Sequence, residues 1–196
     1  DLPVPFLPFR HQWLAWRRLT SKGQEPASTL ITTGTGSGKT ECFQVPILDH
    51  CYREHRAGRK GIKAIILYPM NALAADQAGR FAEEIFRTPA LCWGTGPTRK
   101  AKIRVGLYTG RFDPANPNRV SEGAVSEMKI EMDGEVEKVY RAITDQQMLQ
   151  DQPPDILLTN YKMLDFLLMR PKDKAIWRYN RKGALRYLVL DELHTD

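Results

Sequence analysis

LITTGTGSGKT, residues 30–40, sets an apolar run against three glycines in five positions and ends on a lysine and a threonine. Glycine lacks a Cβ, so a backbone through Gly34, Gly36 and Gly38 can curl its N–H groups inward and approach a polyphosphate closely. A helix starting at about Gly38 adds free N–H groups and the positive end of its dipole. Thr35, Gly36, Ser37 and Gly38 then form a cradle, and Lys39 reaches the β- and γ-phosphates as a point charge. The Thr40 hydroxyl can ligate Mg²⁺. The strict phosphate-loop spacing puts a glycine five residues before Gly38, where this chain has Thr33.

On either side of the loop, strands and helices alternate. A strand at about 28–33 leads in. The helix that follows carries Phe43, Ile47, Leu48, Cys51 and Tyr52 on a 3.6-residue stripe, with Pro46 inside it. IKAIILY (62–68) is a continuous apolar run, as a parallel strand covered on both faces requires. A helix at about 71–86 places Ala74, Ala78, Phe81 and Ile85 on one side. IRVGLYT (103–109), DILLTN (155–160) with the helix YKMLDFLLM behind it, and LRYLVLDE (185–192) complete the series. This rhythm predicts an α/β fold with a doubly wound, mostly parallel sheet.

Residues 1–27 read as an N-terminal segment, extended through DLPVPFLPF and then helical through FRHQWLAWRRL (9–19), where Trp13, Leu14, Trp16 and Leu19 are the apolar positions. Residues 28–196 read as the main domain, with an insertion at about 111–154. There NPNR and QDQPP are loop chemistry, and Asp133–Gly134 between alternating runs predicts a β-hairpin.

Twenty-nine basic against twenty-three acidic residues give a net charge of +6, a moderate lean toward polyanionic partners. Cys42, Cys51 and Cys92 have neither C-x-x-C nor metal spacing, and Cys42 and Cys51 fall in one predicted helix as core fillers. This usage points to a reduced, cytoplasmic compartment. No apolar stretch reaches membrane-spanning length and no signal peptide opens the chain.

YLVLDELH (187–194) ends a buried strand with two carboxylates. Asp191 there can hold Mg²⁺ together with Thr40, and Glu192 can polarise an attacking water. With these two motifs the chain resembles the superfamily 2 helicases of the DEAD/DEAH-box group, first RecA-like domain. TGTGSGKT is similar to that family's loop, GKTECFQVPIL (38–48) to its loop helix, Pro46 included, and DELH (191–194) to its D-E-x-H box. YPMNALAADQ (68–77), YTGR (108–111) and LTNYKML (158–164) resemble its strand-end motifs, and Gln12 in FRHQ its upstream adenine-reading glutamine. The wording is nearest to large bacterial helicases of the Lhr-like and MrfA-like kind.

The resemblance implies a RecA-like P-loop NTPase fold, helices on both faces of a twisted sheet, ATP and Mg²⁺ as cofactors, and His194 coupling nucleotide to nucleic acid. It also implies a nucleic-acid edge at Pro69, Asn71, Gln77, Thr109, Gly110, Arg111, Thr159 and Asn160. Hydroxyls, amides and helix N–H groups there can grip phosphates without reading bases, although each of Asn71, Thr109, Gly110, Thr159 and Asn160 could instead be an ordinary helix cap. Gln12 could be a polar helix residue and His194 a surface histidine, and Phe6 or Phe9 could pack on a base or in the core.

The expected role is the ATP-binding motor of a DNA helicase or translocase moving on single-stranded DNA or a tailed duplex, as used in repair or phage defence. An RNA helicase and a nucleotide-switched binding module without motor activity are the alternatives. The chain begins at Asp1 and stops two residues past the acidic box, so a fragment of a longer protein is expected. In the fold it resembles, the next strand lies between the loop strand and the acidic strand, and a second RecA-like domain supplies arginine fingers worth ~10³–10⁵ in rate. Alone, residues 1–196 are expected to bind nucleotide weakly and hydrolyse almost none.

Overall fold

The computed structural model describes residues 2–4, 6–34, 36–94, 100–109, 129–132, 135–138 and 146–192. In chain order the elements are α1 (Arg10–Leu19), α2 (Lys39–Arg56), β1 (Ala64–Leu67), α3 (Asn71–Arg87), β2 (Cys92–Trp93), β3 (Lys100–Ala101), β4 (Val105–Tyr108), β5 (Lys129–Met132), β6 (Glu135–Lys138), α4 (Gln146–Asp151), β7 (Ile156–Thr159), α5 (Tyr161–Met169) and β8 (Tyr187–Leu190). Single 3-10 segments occupy Pro89–Leu91 and Pro171–Trp177. The described residues form two compact units, Asp1–Arg59 and Lys60–Asp196.

In the second unit the apolar runs make a four-stranded sheet in the order β4-β7-β1-β8. Every pairing in it is parallel. Side chains alternate across a strand, so Ile65, Leu157 and Tyr108 share one face. They join Leu149, Met163, Leu167 and Ile176 in a buried core, with Leu67, Leu164 and Trp177 packed against it. Ala64, Ile66, Val105, Leu107, Ile156 and Leu158, also buried, point to the opposite face. There α3 packs over β4 and β7, burying Ala74, Ala78, Phe81 and Ile85. Cover on both faces is why β1, β4 and β7 read as unbroken apolar runs rather than alternating ones, whereas in β8 Leu188 and Leu190 are exposed.

Gly106 sits in the same row as Ile65 and Leu157. A Cβ on it would lie 2.6 Å from Leu149 Cδ2 and 2.7 Å from Pro154 Cγ. The bare backbone therefore lets the α4 segment press onto the sheet. Gly106→Ala is expected to destabilise the protein by about 1–3 kcal/mol through overpacking, with a lower urea midpoint at unchanged slope. An unchanged midpoint would show that Leu149 and Pro154 can yield freely.

The N-terminal edge of the sheet is held by a buried ion pair. Lys63 is 1% exposed, and its Nζ donates to Asp155 Oδ1 at 2.7 Å. Asp155 Oδ2 accepts from the Arg104 N–H at 2.8 Å. One carboxylate thus ties together the segments entering β1, β4 and β7.

In the first unit, α2 runs unbroken through Pro46. An interior proline costs about 3 kcal/mol. Phe43, Ile47, Leu48 and Cys51 are buried on the same helix, at roughly 1.5–3 kcal/mol for each large apolar side chain. Burial therefore outweighs the lost hydrogen bond. Cys42 and Cys51 are buried, and burial raises the Cys42 thiol pKa, so both act as small hydrophobes.

Three sequence expectations differ from the structure. Residues 28–33 form no strand and Leu30 is 80% exposed. An apolar run becomes a strand only where a neighbouring strand meets its N–H and C=O groups, and among the described residues no strand pairs with this run. In α1 the buried side chains are Gln12 and Ala15, while Trp13 and Leu14 are exposed. Two polar anchors set that rotation: Trp16 Nε1 donates to the Glu41 carbonyl and Gln12 Nε2 to the Gly38 carbonyl. Within the predicted insertion, β5 and β6 pair antiparallel as a ribbon, but residues 146–151, whose last two belong to the QDQPP stretch read as loop, are helix α4. Asp133–Gly134 lie outside the described residues. No helix among the described residues is long and apolar enough to cross a membrane.

Candidate nucleotide and nucleic-acid site

The phosphate loop has the backbone its sequence requires. Gly36 and Gly38 have φ of +74° and +77°, a left-handed region that glycine enters without strain. Gly38 is the N-cap of α2, so Lys39 and Thr40 open the helix where N–H groups are free. Ser37 Oγ lies 2.7 Å from both Thr33 Oγ1 and the Gly34 carbonyl. Lys39 Nζ donates to the Thr33 carbonyl at 3.0 Å, a neutral partner that, among the described residues, leaves its charge uncompensated. Left-handed glycines, a helix N-terminus and an unneutralised lysine fit a polyphosphate, and the Thr40 hydroxyl fits a hard cation. Thr35 lies outside the described residues.

Two residues of α1 hold this loop. Gln12 is 3% exposed; its Nε2 donates to the Gly38 carbonyl at 3.1 Å and its Oε1 accepts from the Phe9 N–H at 2.9 Å. The second bond is the glutamine half of a capping box. His11 Nε2 lies 2.9 Å from the Ser37 carbonyl. Sequence reasoning picked Gln12 and missed His11, whose contact spans 26 residues and leaves no local pattern. Phe6 packs edge-on against Trp16 and Phe9 stacks on His11.

In the second unit, the C-terminal ends of β1, β4 and β7 converge through one amide. Asn160 caps α5, its Oδ1 accepting from the Met163 N–H at 2.9 Å. Its Nδ2 donates to Asn71 Oδ1 at 2.8 Å and lies 3.4 Å from the Thr109 carbonyl. Thr159 Oγ1 donates to the Tyr108 carbonyl. The structure therefore gathers Asn71, Thr109, Thr159 and Asn160 at one edge. Thr109 and Thr159 are buried there, Asn71 and Asn160 are half-exposed, and Pro69 is exposed. Gln77 is 6% exposed and faces inward, with Nε2 3.4 Å from Asp76 Oδ2. Gly110 and Arg111 lie outside the described residues.

The acidic pair follows β8 on the same edge. The Asp191 N–H donates to the Leu67 carbonyl at 3.1 Å, and the Glu192 N–H donates to Asp191 Oδ1 at 3.0 Å. Glu192 has φ +54°, and no other non-glycine among the described residues has a positive φ. Such backbone is uncommon for a side-chain-bearing residue and clusters at functional positions. Burial first, and then the Asp191 carboxylate, hold the Tyr68 phenol well above its usual pKa. His194 lies outside the described residues.

The DEAD/DEAH box helicase family matches residues 9–111, just over half of the chain. Among curated proteins, Druantia protein DruE of Escherichia coli (strain UMEA 4076-1) is 28% identical over 256 aligned positions, covering 95% of this chain and 14% of that protein. The uncharacterized ATP-dependent helicase YprA of Bacillus subtilis (strain 168) is 24% identical over 187 positions, covering 95% of this chain and 18% of that protein. The chain thus spans less than a fifth of the curated relatives it matches. Among solved structures, the DUF1998 helicase MrfA bound to DNA superposes with a TM-score of 0.52 at 22% identity, over 86% of this chain and 16% of that one. That likeness shows the fold, which is RecA-like. The chain belongs to the DEAD/DEAH box helicase family, and ATP is the nucleotide this membership implies for its phosphate loop.

Proposed function

We propose that the chain is the ATP-binding motor domain of a DNA helicase or translocase, acting in the cytoplasm together with a second RecA-like domain. The observation that carries this reading is the loop: two left-handed glycines, a helix start and an uncompensated lysine in a member of a helicase family. Bound Mg-ATP supplies the bond whose cleavage drives movement. Lys39 and the loop N–H groups bind the phosphates, with Thr40 and Asp191 as the Mg²⁺ ligands. Glu192 orients the attacking water and takes its proton. Gln12 fixes the loop and reads adenine with its remaining amide capacity, and His194 relays the state of the nucleotide.

Asn71, Thr109, Asn160 and the neighbouring Pro69, Gly110 and Arg111 form the proposed track for a single strand, whose phosphates they grip without reading sequence. Gln77 and Thr159, both buried, support that edge from within. The likeness to MrfA, a helicase whose structure is bound to DNA, favours DNA over RNA by analogy. The test is ATP turnover of the full-length protein with single-stranded DNA or RNA added. Stimulation by DNA well above that by RNA is expected; the reverse ranking makes the protein an RNA helicase, and no stimulation by either defeats the motor reading.

A further inference from the structure

The segment from Pro171 to Arg186 holds six cations (Lys172, Lys174, Arg178, Arg181, Lys182, Arg186) and one carboxylate, Asp173. Asp173 is fully buried. This stretch carries a net +5 of the chain's +6. A merely solvated charged face usually mixes signs, as α3 does with its Asp76–Arg80 and Glu83–Arg87 pairs. Among the described residues, Lys172, Lys174, Arg178, Arg181 and Lys182 make no such pair, because the ion pairs of this unit use Lys63, Arg80 and Arg87.

The cations at its centre sit on a rigid turn. Asn180 clamps the turn to the start of β1, its Oδ1 accepting from the Ile62 N–H at 3.0 Å and its Nδ2 donating to the Ile62 carbonyl at 2.8 Å. Gly61, with φ +101°, lets the Tyr179 carbonyl come within 2.9 Å of where a Cβ would be. Tyr179 is 40% exposed, with Lys60 Nζ 5.5 Å and Arg178 Cζ 6.0 Å from its ring centre. Arg178, Arg181, Lys182 and Lys60 are all exposed. The turn lies at the N-terminal edge of the sheet, about 20 Å of strand away from the Asn71–Asn160 edge at ~3.3 Å per residue.

We propose that this turn is a second nucleic-acid contact, in which Lys60, Arg178, Arg181 and Lys182 bind the phosphates of the strand and Tyr179 offers an aromatic surface to a base. A fixed cluster of cations without carboxylates, interleaved with an exposed aromatic, is the chemistry that holds single strands irrespective of sequence. The inference rests on the reading of the protein as a nucleic-acid motor, but on residues that reading does not use.

The test is binding of the full-length protein to a single-stranded DNA across a salt series, comparing wild type with the Arg181→Ala, Lys182→Ala double variant. Loss of two phosphate contacts is expected to flatten the slope of log affinity against log salt by about 1.4 and to weaken binding on the order of tenfold at physiological salt. The charge-conserving Arg181→Lys, Lys182→Arg variant is expected to behave as wild type. A double alanine variant with unchanged slope and affinity overturns the second contact alone, and so does a charge-conserving variant that binds as poorly as the alanine one. A wild type that binds no nucleic acid overturns the contact and the motor reading together.

Discussion

Lys39→Ala in the full-length protein is expected to reduce ATP turnover by at least about 10²–10³-fold, the loss that follows deletion of one preorganised charge-stabilising donor. The reason is positional. Lys39 stands at the first turn of α2, and among the described residues its ammonium bonds only a backbone carbonyl, that of Thr33. The charge is therefore free to transfer to phosphate, and it meets the charge that builds up as the terminal phosphoryl group leaves. The fold has little stake in the side chain, since one half-exposed bond is all that is lost. Helix content and nucleic-acid affinity should stay near wild type while phosphate release at saturating DNA disappears. Turnover that survives the substitution would remove the phosphate-loop assignment.

Asp155→Ala is expected to destabilise the protein by about 3–5 kcal/mol, read from urea unfolding, because it strands a buried ammonium. Lys63 has no room to reach solvent at 1% exposure, and the Arg104 N–H loses its acceptor at the same time. A Lys63→Met, Asp155→Asn double variant keeps an oxygen for that N–H and buries no charge, so it should be less destabilised than Asp155→Ala alone. A double variant that is the less stable of the two would show that the pair's attraction, not the orphaned charge, dominates.

Strands β1, β4 and β7 were legible because burial on both faces leaves an unambiguous trace, and β8 by its apolar run although Leu188 and Leu190 are exposed. IKAIILY, IRVGLYT, DILLTN and LRYLVLDE each contain the strand they predict, trimmed by one or two residues at each end. The residues of the loop and of the acidic pair were also legible, since each needs a specific residue type at a specific spacing. What the sequence hid are relations between distant side chains. Lys63 and Asp155 meet across 92 positions, and no periodicity announces them. The rotation of α1 follows from Gln12 and Trp16 bonding to carbonyls near the loop, whereas its apolar spacing pointed to Trp13 and Leu14. Residues 28–33 have the composition of a strand, but strand character is conferred by a partner and not by composition.

The bond from Gln12 to the Gly38 carbonyl constrains how this protein can vary. A Cβ at position 38 would come within 2.4 Å of Gln12 Nε2, so any larger residue there evicts the amide as well as straining a left-handed backbone. Position 38 therefore cannot change while Gln12 keeps this bond. Lineages that lose the glutamine gain latitude at the glycine only as far as φ allows, and those that keep it inherit both residues as one heritable unit.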